Sequence, residues 1–246
     1  MKSRQKTLRK RIVFSVFAGV FCLFFFTCGI PVYYVIEPPK IGSNIPTYET
    51  SDQSNRYFSF ICPYSSSSDN SEFSLLGTGI YYRIYDSVET MNSDINSING
   101  RNGEYSENGY FKMIELNYQP LLSTPASTPI VKKITSSRTV ELRLCNEGTY
   151  TTGLKDVTNN TQISVPYRYG ISSSTNATAG FQFTSSYHPE SGDQDYSMSN
   201  QSSGQTTGSG EWYVNMYAVS IGRDSSLSQH YSSLLHLGNL KITQTE

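Results

Sequence analysis

The sequence predicts an all-β fold, an antiparallel β-sandwich with one short inserted helix, behind an N-terminal apolar segment. Three observations indicate this fold class. The chain of 246 residues contains 19 Tyr and 12 Phe, and aromatic residues favour strands. Stretches rich in Ser, Asn and Gly, which are typical turn residues, separate the apolar runs. Several runs alternate in type with the two-residue period of a strand that buries one face.

The N-terminus has the layout of an export signal. Residues 1–11, MKSRQKTLRKR, carry six basic residues and no acidic one, and the apolar run IVFSVFAGVFCLFFFTC follows at residues 12–28. A basic head stays in the cytoplasm, and an apolar core directs the chain that follows it across the membrane. We therefore expect everything after Cys28 to be exported.

Two forms of membrane attachment remain open. Residues 12–26 have the length of a signal core, which favours removal of residues 1–27 as a signal peptide. Alternatively, the apolar run continues uncut to about residue 36 as an anchor long enough to span a bilayer.

The segment Phe25-Phe26-Thr27-Cys28 resembles the lipobox of bacterial lipoproteins. It is similar to the lipobox of spirochaetal lipoproteins, which varies more at these positions. Phe25 and Thr27 stand where the family usually has Leu and a Gly or Ala. The resemblance implies that Cys28 carries acyl chains such as palmitate. It also implies attachment to the bacterial outer membrane or another membrane facing the periplasm.

The exported part begins with an extended tether at residues 28–50. Glu37-Pro38-Pro39 and Ile45-Pro46 exclude a helix there, because proline fixes its own backbone and restricts the preceding residue. A β-sandwich domain is predicted for residues 51–246. Its strands are expected at residues 56–63, 73–86, 110–118, 130–134, 139–145, 163–169, 180–187, 211–221 and 234–242.

Two long insertions interrupt the strands, at residues 86–110 and 188–210. In the first, Val88, Met91, Ile95 and Ile98 share one helical face, which predicts a short amphipathic helix over residues 86–100. The second is polar and rich in Gly and Ser, and we expect it to be disordered. We interpret its acidic residues, Glu190, Asp193 and Asp195, as solvated and not as a Ca²⁺ site, because they lack the EF-hand pattern.

The segments GIYYRIYDS and EWYVNMYAVSIGRD resemble the third and sixth strands of a fibronectin type III or related immunoglobulin-like sandwich. The resemblance rests on Tyr213, Met216, Ala218 and Val219 and covers about half of the exported chain. It implies an immunoglobulin-like or fibronectin-like arrangement of the two sheets, and it implies nothing about function.

Charge and cysteine content exclude several classes of protein. Without the six N-terminal basic residues, 13 Lys and Arg stand against 20 Asp and Glu, a formal net charge of −7. This charge argues against nucleic acid as a partner and against electrostatic docking on anionic lipid. Cys62 and Cys145 are the cysteines of the domain, and they either form one disulfide or stay free.

The sequence contains no GxSxG, HExxH or P-loop motif. We therefore predict no catalytic residues, no metal site and no cofactor. The expected function is that of a membrane-anchored exported lipoprotein that contributes to envelope structure or binds a partner.

The alternative from another class is a carbohydrate-binding or carbohydrate-active jelly roll. Exposed tyrosines can stack on sugar rings. The strand alternation places four candidates on the strand faces, at Tyr81, Tyr85, Tyr213 and Tyr217. A groove lined by these rings and faced by a carboxylate would favour a glycan as the ligand, and a protein partner is the other option.

Overall fold

Two packed β-sheets form the body of the protein in the computed structural model, which describes residues 34–64, 72–122, 129–169, 180–198 and 210–244. The predicted signal segment and Cys28 lie outside the described residues, as do residues 199–209 of the second insertion. No helix within the described ranges is long and apolar enough to cross a membrane.

The described residues form twelve strands and two α-helices. In chain order the strands are β1 (Lys40–Ile41), β2 (Phe58–Cys62), β3 (Phe73–Tyr85), β4 (Gln119–Pro120), β5 (Val131–Lys132), β6 (Arg138–Arg143), β7 (Gly153–Asp156), β8 (Thr161–Ser164), β9 (Tyr196–Ser197), β10 (Glu211–Asp224), β11 (Gln229–Tyr231) and β12 (Leu235–Thr243). The helices α1 (Val88–Asn99) and α2 (Asn108–Glu115) lie between β3 and β4. A single 3-10 turn, Gln53–Asn55, precedes β2.

The first sheet has the strand order β1-β2-β6-β7-β8 and is antiparallel throughout. The second sheet is built around β3 and β10, which pair antiparallel from Tyr85 opposite Tyr213 to Phe73 opposite Asp224. Strands β11 and β12 pair with β10, and β4, β5 and the parallel strand β9 pair with β3. The two segments that resemble fibronectin strands, β3 and β10, are therefore direct neighbours.

The inner faces of the two sheets enclose a common apolar core. Alternate residues of β3 and β10 point into it, and the apolar residues of β2, β6, β7 and β12 complete it from the other strands. The core includes Phe58, Phe60, Ile80, Tyr82, Ile84, Val140, Leu142, Leu154, Trp212, Val214, Met216 and Leu240. The all-β sandwich is confirmed.

The two helices cover the outer face of the second sheet as a third layer. Met91 and Ile98 of α1 and Tyr110 and Met113 of α2 pack on the remaining residues of β3 and β10. Ser87 caps the N-terminus of α1, and its Oγ accepts a hydrogen bond of 3.2 Å from the Thr90 amide. The predicted amphipathic helix is thus confirmed, and a second helix follows it.

Two predicted strands, at residues 110–118 and 180–187, are wrong, and of the strand predicted at residues 163–169 only the first two residues lie in β8. Residues 110–118 contain most of α2, because Tyr110 and Met113, three residues apart, bury one helical face on the sheet. Residues 180–187 form a turn closed by an isolated bridge between Thr184 and Tyr187. Strands β7 and β11, of four and three residues, were not predicted.

Much of the segment predicted as a tether is built into the domain. Ile36 is only 4% exposed, and β1 pairs with β2. Further along, the Tyr48 amide donates to Oδ1 of Asn239, 2.7 Å away. The described residues from Val35 onward belong to one compact unit.

Candidate functional site

A cleft of about 400 Å³ opens beside the strands β2, β6 and β12. Four segments of the chain meet around it: the loop before β2, the turn after β6, the segment at residues 181–183 and the end of β12. Its lining residues are Ser51, Gln53, Arg56, Cys145, Asn146, Glu147, Gly148, Phe181, Gln182, Phe183, Lys241, Ile242 and Thr243. Such a volume is in the range of small-ligand sites.

Arg56 ties three of these segments together. Its Nε donates to Oε1 of Glu147 at 2.7 Å, and the two side chains are only 13% and 16% exposed. The remaining nitrogens donate to backbone carbonyls, Nη1 to Thr50 at 2.9 Å and Nη2 to Lys241 at 2.5 Å. All three guanidinium nitrogens are therefore used to hold the walls of the cleft.

Arg143 holds the turn that forms another wall. Its guanidinium lies between the rings of Tyr57 and Tyr150, 4.8 Å and 4.2 Å from their centroids. It donates to the carbonyls of Gln53 and Ser54, both in the 3-10 turn. The position of Gln53 at the cleft is thus fixed through its backbone.

The charges at the cleft are neutralised in pairs. Glu147 faces Arg56, and Lys241 Nζ lies 3.0 Å from Oε1 of Glu211. The other polar side chains of the lining are amides and hydroxyls, supplied by Ser51, Gln53, Asn146, Gln182 and Thr243. With Phe181, Phe183 and Ile242 as apolar lining, the cleft suits an uncharged polar ligand.

Cys62 and Cys145, the cysteines of the described residues, are free thiols with separate partners. Cys145 Sγ donates to Oε1 of Glu147 at 3.4 Å, and burial followed by the Glu147 charge raises the pKa of this thiol to about 12. Burial likewise raises the pKa of Cys62 to about 12, although a hydrogen bond with Thr78 opposes the rise. Both thiols are protonated at neutral pH, the unreactive form of cysteine.

The four tyrosines predicted to stack on a ligand lie on the helix-covered face of the second sheet. Tyr81, Tyr85 and Tyr217 are at most 5% exposed, beneath α1 and α2. Tyr213 is half-buried and contacts the Tyr48 ring edge to face, at 5.8 Å. Protein side chains therefore occupy the faces of the three buried rings that a sugar would need.

One of these tyrosines, Tyr85, belongs to a buried chain of polar groups. Tyr85 donates to Oδ2 of Asp94 at 2.9 Å, and Asp94 also accepts from Arg83 at 3.1 Å. Tyr118 lies 3.0 Å from the Tyr85 hydroxyl and accepts from the Asn215 amide at 2.7 Å. The Asp94 carboxylate thus fastens α1 to the sheet.

His236 is the last member of this chain of hydrogen-bonded polar groups. Its Nε2 lies 2.6 Å from Oδ1 of Asn215 and donates to it, because the amide nitrogen of Asn215 is already directed at Tyr118. Burial lowers the pKa of His236 to about 4. The imidazole is therefore neutral at physiological pH.

Two of the three acidic residues of the second insertion, Asp193 and Asp195, are buried, contrary to prediction, whereas Glu190 is exposed as predicted. Asp195 is fully buried and Asp193 is 6% exposed. Arg168 holds both, with Nε and Nη2 donating to the two oxygens of Asp195 at 2.9 Å and 2.7 Å and Nη2 also 2.7 Å from Asp193. Tyr82 of β3 donates to Asp195 at 2.6 Å, so this ion network joins the insertion to the sheet.

The other two histidines lie at separate places in the fold. His188 stacks on the Trp212 ring, with centroids 5.7 Å apart. His230 lies between two carboxylates, 3.2 Å from Glu107 and 3.0 Å from Asp224. The pKa of Asp224 is lowered to about 2, mainly by its hydrogen bond with His230.

Comparison with protein-family models, curated proteins and solved structures finds no match for this chain.

Proposed function

We propose that the protein is an exported lipoprotein, anchored to a membrane at Cys28, whose β-sandwich binds a partner without catalysing a reaction. The observation that carries the proposal is the order of its segments. A basic head, an apolar run ending at Cys28 and a β-rich domain follow one another in the arrangement of a secreted, anchored protein. Stable attachment requires two or more acyl chains, or an intact membrane-spanning helix in the alternative form.

The chemistry of the cleft supports a binding role over a catalytic one. The thiolate is the nucleophilic form of cysteine, and burial together with the Glu147 charge raises the pKa of the Cys145 thiol, which keeps it protonated. Arg56 and Glu147 are engaged with each other and with the backbone. Such groups give the cleft a fixed shape, which is what a binding site requires.

The anchor is tested by producing the full chain in a bacterium that processes lipoproteins. We expect wild-type protein to incorporate labelled palmitate and to sediment with membranes, and Cys28→Ala to lose the label. Cys22→Ala, in the same apolar run, is the matched control and should keep it. A palmitate label that survives Cys28→Ala would contradict lipidation there, and unlabelled wild-type protein retained in the membrane would indicate the uncleaved anchor.

Carbohydrate binding is the second candidate function, and the composition of the cleft favours it. Amide and hydroxyl side chains beside apolar groups are the partners that sugar hydroxyls and ring faces need. Detergent-solubilised full chain is titrated with maltose, cellobiose and diacetylchitobiose. If one binds, Gln182→Ala should weaken it by about tenfold through loss of a hydrogen bond, while the exposed Gln229→Ala should not. No binding by any of the three sugars would remove this candidate.

A further inference from the structure

Two tyrosines from different layers of the protein lie face to face. Tyr110 is in the first turn of α2, and Tyr231 is the last residue of β11. Their ring centroids are 3.5 Å apart, and the ring planes differ by only 11°. Aromatic pairs favour an offset or edge-to-face arrangement with centroids about 4.5–7 Å apart, so this stack is an outlier that requires an explanation.

Four other tyrosine pairs within the described ranges have the common edge-to-face geometry. Their centroids are 5.5 Å to 6.5 Å apart, and their interplanar angles lie between 62° and 88°. These pairs are Tyr48–Tyr213, Tyr81–Tyr110, Tyr85–Tyr118 and Tyr118–Tyr217. The high tyrosine content of the protein therefore does not by itself produce a parallel stack.

Contacts between α2 and β11 hold the two rings in position. The Tyr231 amide donates to Oε1 of Glu107 at 2.9 Å. Glu107 precedes Tyr110 by three residues at the start of α2, which places both on one side of the helix. On the sheet, the hydroxyl of Tyr81 lies 3.4 Å from the Tyr110 hydroxyl. The carboxylate of Glu107 thus aligns β11 with the first turn of α2, where the Tyr231 ring covers that of Tyr110.

The stack brings the ortho carbons of the two phenols together. Two carbon atoms pack best at about 3.5–4.0 Å, so a centroid distance of 3.5 Å leaves almost no sideways offset between the rings. With such overlap, an ortho carbon of one phenol lies within about 4 Å of an ortho carbon of the other, however the rings are rotated in their planes. The ortho carbon is a position at which a phenoxyl radical forms bonds.

We propose that Tyr110 and Tyr231 are a modification site, at which a one-electron oxidant joins the two side chains as dityrosine. Each phenol loses an electron and its hydroxyl proton, and the two radicals form one carbon–carbon bond between ortho carbons. The hydrogens of these two carbons then move to the phenolic oxygens, so two electrons and two protons are lost in total. Hydrogen peroxide, acting through a haem peroxidase, accepts them and becomes two molecules of water.

The exposure of the pair allows this reaction. Tyr231 is half-buried, and its hydroxyl donates to Oε1 of the exposed Gln229 at 2.9 Å. Tyr110 is 9% exposed. Tyr231 therefore meets the oxidant, and the electron of Tyr110 passes across the ring contact.

The new bond connects the helical layer to β11 covalently. It closes a loop of about 120 residues, and a cross-link over so long a loop restricts the unfolded chain. We therefore expect the oxidised protein to unfold at a higher urea concentration than the untreated protein.

The test oxidises the detergent-solubilised full chain with a haem peroxidase and hydrogen peroxide, and isolates the monomer on a denaturing gel. Trypsin releases Tyr110 in the peptide of residues 102–112 and Tyr231 in the peptide of residues 224–241. We expect mass spectrometry to find these peptides joined, lighter than their sum by two hydrogen atoms. Monomer from protein that was unfolded in urea before oxidation should not contain the joined peptide.

Tyr105 supplies the matched control, because it lies in the same tryptic peptide as Tyr110 and is 59% exposed. Tyr110→Phe and Tyr231→Phe keep an aromatic ring and should each abolish the joined peptide, whereas Tyr105→Phe should retain it. The mapping of the wild-type link does not depend on how the variants fold.

Four results would overturn the proposal. These are a joined peptide in Y110F, a wild-type link mapped to Tyr105, an equal yield from unfolded protein, and a wild-type monomer without the link under conditions that convert free tyrosine to dityrosine.

Discussion

At the scale of single residues, the buried polar groups depend most strongly on their hydrogen-bond and charge partners. The Arg168 guanidinium is 1% exposed, which by itself would lower its pKa. The hydrogen bonds and charge of Asp195, followed by Asp193, outweigh this effect, and the pKa is raised. A buried charge of this kind is tolerated only while its partners remain in place.

Asp195→Asn should therefore destabilise the protein strongly. The change removes one of the two carboxylate charges that compensate Arg168, so the free energy of unfolding should fall by about 3 kcal/mol. Urea unfolding measures it. Glu37→Gln, which breaks the exposed pair with Lys40, is the matched control and should leave the unfolding midpoint nearly unchanged. Equal effects of the two changes would show that the buried network contributes no more than a surface pair.

His236 should make stability depend on pH in the weakly acidic range. The folded protein binds a proton at His236 only near pH 4, whereas the unfolded chain binds it near pH 6.5, so unfolding takes up a proton between these values. This contribution is fully present above pH 6.5 and is lost as the pH falls. Between pH 7.5 and pH 5 it should amount to about 2 kcal/mol.

The measurement compares urea unfolding of wild type and His236→Asn at those two pH values. The variant should lack this part of the pH dependence. His188→Asn, which removes a histidine stacked on Trp212, should keep it. The prediction fails if H236N and wild type lose the same free energy on acidification.

At the scale of elements, the length of a strand or helix determined whether its sequence pattern predicted it. Strands β3 and β10 alternate over 13 and 14 residues, and both were found from the pattern. Helix α2 has eight residues and thus little more than two turns, a length at which the helical and strand periods are hard to separate. The four-residue β7 and three-residue β11 depend on pairing with their neighbours, which a local pattern does not contain.

The two sides of α2 should respond differently to truncation. Met113 is fully buried, so Met113→Ala should lower the free energy of unfolding by about 3 kcal/mol through lost contacts and a cavity. Ile114→Ala, at the next position but exposed, should change it by less than about 0.5 kcal/mol. Similar losses at both positions, measured by urea unfolding, would mean that α2 packs by a different face.

At the scale of the whole molecule, the arrangement of layers explains why the site was predicted less well than the fold. The tyrosine pattern predicted one open sheet face, but residues 88–115 supply two helices that cover it. The cleft is assembled from four segments that are far apart in sequence. Cys145 was its only member named as a candidate, and no spacing in the sequence indicates that Arg56 and Glu147 meet.

Export and anchoring are the central proposal, since the compartment in which the domain meets a partner depends on them. The most direct measurement is mass spectrometry of the N-terminal peptide of the native protein, purified from membranes. We predict a peptide that begins at Cys28 and carries acyl chains. An unmodified peptide beginning at Met1, from protein recovered free in the cytosol, would contradict the account.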